Sequence, residues 1–113
     1  MSTPTLDDPE FVHEEGFTGM IVDATGTIAA REHHTDHVTA DGVKQRAFIS
    51  TVTEESYRGQ GLAGQIVEYT LGRALEDGYR LVAICPYVKS WIEKQDDPRY
   101  EQAQDTARPE HFQ

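Results

Sequence analysis

Two stretches rich in apolar residues lie near the start of the chain. "FTGMIVD", residues 17–23, reads as a strand, and the "ATG" after it as a turn. Residues 27–33, "TIAAREH", supply a hairpin partner. "HTDHVTADG" then forms a polar connection, with Asp41-Gly42 as its turn signal. Residues 44–53, "KQRAFISTVT", alternate in a strand-like way. A regular strand there places Ala47, Ile49 and Thr51 on one face and Phe48, Ser50 and Val52 on the other.

The period then changes. Over residues 61–77, Leu62, Ile66, Val67, Leu71, Ala74 and Leu75 recur close to every 3.6 residues, which predicts a helix. Asp77-Gly78 stops it, with Gly78 suited to the left-handed position after a helix. "YRLVAIC", residues 79–85, is a short, nearly continuous apolar run, as in a buried inner strand. Pro86 suits the first turn of a second helix, with Val88, Trp91 and Ile92 inward and Lys89, Glu93 and Lys94 in water. The order β-β-β-α-β-α predicts an α+β fold, an antiparallel meander followed by a β-α-β-α unit.

The ends are more polar. Residues 1–10 hold two prolines and three acids and read as a mobile lead-in. Residues 11–95 form the expected domain, and 96–113 a polar tail that either wraps the surface or stays mobile. A chain of 113 residues suits one domain. The formal charge of −10, from 20 acidic and 10 basic residues, argues against a nucleic-acid partner, since neutralising phosphates needs clustered Lys and Arg. It favours cationic partners such as amines, or simply solubility. The single cysteine, Cys85, rules out an intramolecular disulfide and the zinc sites built on four cysteines or on two cysteines and two histidines. With no signal pattern in "MSTPTLDDPEF" and no run of ~20 apolar residues, the expectation is a cytoplasmic protein with no membrane partner.

"YRGQGLAGQIV" carries Gly59, Gly61 and Gly64 at G-x-G-x-x-G spacing. A dinucleotide fold requires a strand running directly into the first glycine and an acid ending the second strand. Here polar residues intervene, and the second strand ends in Ile84-Cys85-Pro86. No G-K-[ST] comes after it, which excludes a Walker loop. What remains is a glycine turn at a helix start, where backbone N–H groups, the helix dipole and Arg58 suit a pyrophosphate. The competing reading is a turn that merely starts the helix, with Gly64 letting it approach a strand closely.

With a strand before and a helix after, "YRGQGLAGQIV" resembles the acetyl-CoA loop of the GNAT superfamily of N-acetyltransferases. Arg58, Gly61 and Ala63 meet its [QR]-x-x-G-x-[GA] pattern. "LVAICPYVKSWIEK", residues 81–94, resembles the small single-domain members in which C-P-[FY] ends the strand before a helix. The resemblance spans roughly residues 11–95. It implies a compact GNAT-like fold, a mixed sheet with two splayed parallel strands at residues 47–53 and 80–85, and acetyl-CoA (CoA) as cofactor. The pantetheine arm is expected beside Val52 and Thr53. The pyrophosphate is expected on the amides of Arg58, Gly59, Gln60, Gly61, Leu62, Ala63 and Gly64. The thioester then lies near residues 50–52 and Cys85, with Pro86 and Tyr87 also against the cofactor. Small relatives read H-T-E-V where this chain has Ser50-Thr51-Val52-Thr53, so no general base on that strand is implied. No helices interrupt the first strands to build an acceptor site, which should be open.

For acetyl transfer, a backbone N–H near Val52 is the natural oxyanion donor, contributing roughly 3 kcal/mol. Cys85, before a helix N-terminus, has three open roles: nucleophile, proton donor, or packing at the strand end. His34, Asp36 and His37 could meet around a metal only in a turn; a solvated hairpin is the plainer reading, and one histidine could serve as a base. Tyr57 and Tyr87 pack or hydrogen-bond beside the cofactor, and Glu54 and Glu55 either draw a cationic acceptor or are solvated. Two functions stand: an N-acetyltransferase for an unidentified amine, small molecule or protein, and a CoA-binding module with little catalysis. Monomer and homodimer are both open.

Overall fold

The computed structural model describes residues 3–112. Six strands form one sheet whose spatial order follows the chain. β1 (Glu10–Glu14), β2 (Phe17–Ile21), β3 (Ile28–Val38) and β4 (Lys44–Thr53) are successive antiparallel neighbours. α1 (Leu62–Glu76) carries the chain over to β5 (Arg80–Ala83), which pairs with β4 in parallel. α2 (Pro86–Glu93) and α3 (Pro98–Gln102) precede the two-residue β6 (Gln104–Asp105), which adds in parallel to β5. The expected α+β meander and β-α-β-α unit are both present in one mixed sheet.

Three segments hold more structure than the sequence pattern predicts. β1 is an extra edge strand. Acids flank its two apolar residues, so it has no alternation to read, and it is held from outside: Phe11 stacks on Tyr69 of α1 at 3.6 Å, and His13 Nε2 lies 2.8 Å from the Tyr69 hydroxyl. β3 runs on through "HTDHV", which the polar pattern assigns to a connection. Pairing with β4 reaches Val38↔Lys44, and Arg46 grips Asp36 with two hydrogen bonds of 2.8 and 3.0 Å. Residues 98–112 supply α3, β6 and a 3₁₀ turn, Pro109–Phe112.

A departure in register matters more. Ser50 pairs with His33, but Phe48 pairs with His34, so β4 carries one extra residue at Ile49. This bulge reverses the expected alternation, because a one-residue insertion moves every later residue of the strand to the other face. Phe48 and Thr51 therefore share a face, opposite His34 and Glu32, while Ser50 and Val52 point the other way, opposite His33 and Arg31.

The helices lie on the Phe48–Thr51 face. One buried cluster joins Met20, Val22, Ala29 and Ala30 to Leu62 and Ile66 of α1. A second joins Phe48 and Leu81 to Val67, Leu71 and Ala74 of α1, Cys85, and Val88 and Ile92 of α2. Each large side chain in these clusters contributes about 1.5–3 kcal/mol by leaving water. α1 ends as its residues predict: Gly78 turns left-handed at φ +80°, and Tyr79 N–H returns to Ala74 O at 2.9 Å.

On the opposite face the C-terminal turn covers one end of the sheet. Arg108 N–H donates to His111 Nδ1 at 2.9 Å, which leaves Nε2 to donate to Gln45 Oε1 at 2.8 Å. Gln45 Nε2 donates to Asp105 Oδ2 at 2.8 Å, and Arg80 Nε to Asp105 Oδ1 at 2.7 Å. His111 is buried and stands edge-on to His37, with ring centroids 5.0 Å apart.

Candidate active site

The site begins where β4 and β5 part. Their pairing runs from Gln45↔Arg80 to Phe48↔Ala83 and stops. The last rung is shared: Ile84 and Cys85 both donate their N–H groups to Phe48 O, at 3.1 and 2.9 Å. Beyond it β4 continues to Thr53 paired with β3, while the chain after Cys85 turns into α2. A cleft opens between the two strands, with unpaired β4 backbone along one wall. The bulge at Ile49 sits at the branch point and supplies the added twist.

The glycine loop closes the top of this cleft. Glu54 N–H donates to Ala29 O at 2.8 Å, and a 3₁₀ turn, Glu55–Tyr57, comes next. Tyr57 donates its hydroxyl to Asp23 Oδ2 at 2.8 Å, tying the loop to the β2–β3 turn. Hydrogen bonds from Thr25 and Tyr57 hold the Asp23 carboxyl below the usual carboxylate range. Gly59 and Gly61 adopt φ +81° and +76° in open space, so conformation rather than room selects glycine. Gly61 is also the α1 N-cap and provides no side-chain cap. The first-turn amides of α1 are left facing outward for a ligand. Gly64 is not a close-approach point to a strand: a Cβ there would meet the Tyr87 hydroxyl at 3.6 Å, an ordinary contact. That neighbour joins the first turns of α1 and α2 across the cleft mouth, where Tyr87 is exposed.

Cys85 is the N-cap of α2 and only 7% exposed. Its sulfur packs in the second core cluster, yet lies 3.7 Å from Thr51 Oγ1 across the cleft. Thr51 in turn donates a very short hydrogen bond to Glu32 Oε1. Glu32 is fully buried, and its Oε2 has no hydrogen-bond partner among the described residues. Burial pushes its carboxyl up to about 8, against the smaller pull of the Thr51 hydrogen bond.

The other expected participants divide. Val52 and Thr53 lie on the unpaired stretch of β4, Arg58 to Gly64 form the loop and first turn, and Cys85, Pro86 and Tyr87 form the α2 start. Val52 is exposed on the helix-free face with Ser50, Arg31, His33 and Phe17. Glu54 is engaged by Arg31 at 2.7 Å, so it is not a free lure for a cationic acceptor; Glu55 is exposed. His34, Asp36 and His37 do not converge. β3 puts His37 on the face opposite the other two, and Arg46 occupies Asp36. Burial, then Arg46, depresses His34. A cavity of about 790 Å³ lies elsewhere, between α1 and α3, and includes none of the loop. The cleft itself is an open groove beside strand backbone.

A family model described as GCN5-related N-acetyl-transferase matches residues 22–103, from the end of β2 through α3. The chain belongs to the GCN5-related N-acetyl-transferase family. Among solved structures, this GCN5-related chain resembles the ribosomal-protein-alanine N-acetyltransferase of Brucella melitensis biovar Abortus 2308, with a TM-score of 0.53 and 22% identity over 81% of this chain and 66% of that one. It also resembles the glucosamine-6-phosphate N-acetyltransferase of Arabidopsis thaliana, with a TM-score of 0.50 and 18% identity over 69% of this chain and 56% of that one. At such identities the likeness is one of fold, and the chain spans two thirds or less of either enzyme's length. No curated protein matches it. Among the described residues no helix is long and apolar enough to cross a membrane.

Sequence reasoning about this GCN5-related chain missed Glu32. A lone acid in "AAREHH" carries no local signal, and the bulge that brings Thr51 onto its face is invisible to a period-2 count.

Proposed function

We propose that this chain is an acetyl-CoA-dependent N-acetyltransferase whose cofactor lies in the β4–β5 cleft. One observation carries the reading: the parallel pairing ends at Phe48↔Ala83, directly below a loop with left-handed Gly59 and Gly61 that starts α1. The residues suit coenzyme A. Amides from Arg58 to Gly64, the Arg58 side chain and the positive end of α1 would hold the pyrophosphate, and unpaired β4 backbone near Val52 and Thr53 would serve the amide-bearing pantetheine arm. When bound, acetyl-CoA supplies the activated acyl thioester.

The chain's own residues then have distinct tasks. A backbone N–H near Val52 is positioned to stabilise an oxyanion, worth about 3 kcal/mol. Cys85 lies on the opposite wall with its sulfur toward Thr51, the place for a nucleophile or proton donor. The amine acceptor approaches from the helix-free face, where Val52 is exposed. The protein is proposed to work in the cytoplasm, as monomer or homodimer. A second reading, a CoA-binding module with little catalysis, is favoured by Ser50 and Val52, which give the unpaired stretch of β4 no ionisable side chain of its own.

Calorimetry with acetyl-CoA and CoA, then a free-thiol release assay over a panel of small amines and peptides, tests both. The expected result is binding together with release. Binding without release supports the module, and absence of binding removes both readings.

A further inference from the structure

Three side chains from three elements meet where β4 and β5 part. Glu32 comes from β3, Thr51 from β4 and Cys85 from the start of α2. The hydrogen bonds have a direction. Thr51 has one hydroxyl proton and gives it to Glu32 Oε1. Its oxygen is left to accept, and the neighbour at 3.7 Å is the Cys85 sulfur. A fully buried carboxyl with an unpartnered second oxygen costs several kcal/mol of stability, and packing alone does not call for one.

We propose that Glu32, acting through the Thr51 hydroxyl, is the proton acceptor for the Cys85 thiol. The Cys85 proton passes to Thr51 Oγ1 as the Thr51 proton passes to Glu32 Oε1. A thiolate, an unchanged hydroxyl and a carboxylic acid result, and no other reactant is needed. The thiolate can then attack an electrophile in the cleft while Glu32 keeps the proton for return to a leaving group. Glu32 is thus a positioning residue, and Cys85 the group that touches the reactant. The relay rests on the acetyl-transfer reading only for the identity of that electrophile.

The surroundings suit the role. Thr18 of β2 stands directly opposite Glu32 and cannot titrate. α1 presents Leu62 and Ile66 at the Ala30 end of this face, and Tyr69 and Arg73 at the His34 end. His34 and Arg46 lie further along the same face, and β1 adds His13 beside Tyr69. Neither Arg46 nor Arg73 counters the burial of Glu32, which pushes its carboxyl up to about 8. The acid can therefore hold or release a proton near neutral pH.

Because Cys85 is the only thiol in the chain, its reaction with iodoacetamide can be followed by intact mass. In that reaction the sulfur–carbon bond forms, iodide leaves and the proton goes to Glu32. Alkylation rates from pH 6 to 9.5 are expected to show two ionisations in the unaltered protein, that of Glu32 and that of the thiol. Glu32→Gln should leave one ionisation and lower the rate above pH 8 at least about tenfold. Thr51→Val should lower it comparably with the carboxyl still present. A merely structural role would scale the rate alike at every pH.

A Glu32→Gln profile of unchanged shape overturns the relay. So does an unaffected Thr51→Val, which would show that the carboxyl acts through space rather than through the hydroxyl. If one variant fails to fold, the other decides. Since alkylation needs no coenzyme A, a relay that passes while thiol release fails would leave the relay standing and remove acetyl transfer.

Discussion

Two carboxylates, one at each end of the sheet, meet opposite fates. Asp105 sits at the closed end, where β4, β5 and β6 are all paired. Burial pushes it up, but Gln45 and Arg80 bind both its oxygens and together hold it below the ordinary range. Glu32 sits at the open end, where β4 has parted from β5. Burial pushes it up too, and one threonine hydroxyl is all that answers, so it stays near 8. The closed end is a satisfied network reaching from Arg80 to His111. The open end leaves Glu32 Oε2 without a partner among the described residues, with Thr51 between its other oxygen and the Cys85 sulfur. Satisfied polar groups rigidify, whereas unsatisfied ones cost stability and persist where chemistry uses them.

The largest test of this contrast is pH. The folded-state carboxyl of Glu32 lies above its unfolded value of 4.5, so the native state binds the extra proton between 4.5 and about 8. Its stabilising contribution is therefore complete below 4.5 and is lost as pH rises through about 8. Glu32→Gln should remove this slope and leave the protein more stable than the unaltered chain at pH 9, by up to about 5 kcal/mol. Urea titrations at pH 5 and pH 9 would reveal it, and equal slopes in both proteins would break the contrast.

The closed end should respond in the reverse sense. His111→Ala removes partners from Arg108 N–H and Gln45 Oε1 and leaves a cavity, at a cost of about 2–3 kcal/mol. Affinity for coenzyme A should not change, because the turn lies at the far end of β4. A parallel loss of affinity in calorimetry would show that the two ends are not independent.

The smallest effect concerns the loop. Gly61→Ala forces a side chain into φ +76°, which costs about 1 kcal/mol and should weaken coenzyme A binding up to about tenfold. Gly72→Ala, on the same helix with open space around its Cβ position, serves as control and should stabilise α1 by roughly 0.5–1 kcal/mol without touching affinity.

Much of the architecture was readable in the chain. The helix from Leu62, its stop at Gly78, the inner strand "RLVA" and the Cys85-Pro86 start of α2 all come from local period, turn chemistry and proline geometry. The loop was readable too, since left-handed glycines before a helix announce themselves. β1, the far half of β3 and β6 were not, because their apolar content is low and their partners lie on distant segments. Glu32 escaped for the same reason. Its significance comes from Thr51 and Cys85, 19 and 53 residues away along the chain.

What the sequence by itself determined is therefore the order of elements from β2 to α2, the glycine loop before α1 and the single thiol at a helix start. These depend on interactions within about ten residues. Only the tertiary structure decided that an extra residue at Ile49 turns Thr51 inward, that β4 and β5 separate after Phe48, and that Glu32 is sealed from water with one partner. Register, splay and burial are agreements between distant strands, and a carboxyl's proton affinity depends on the medium those strands create around it.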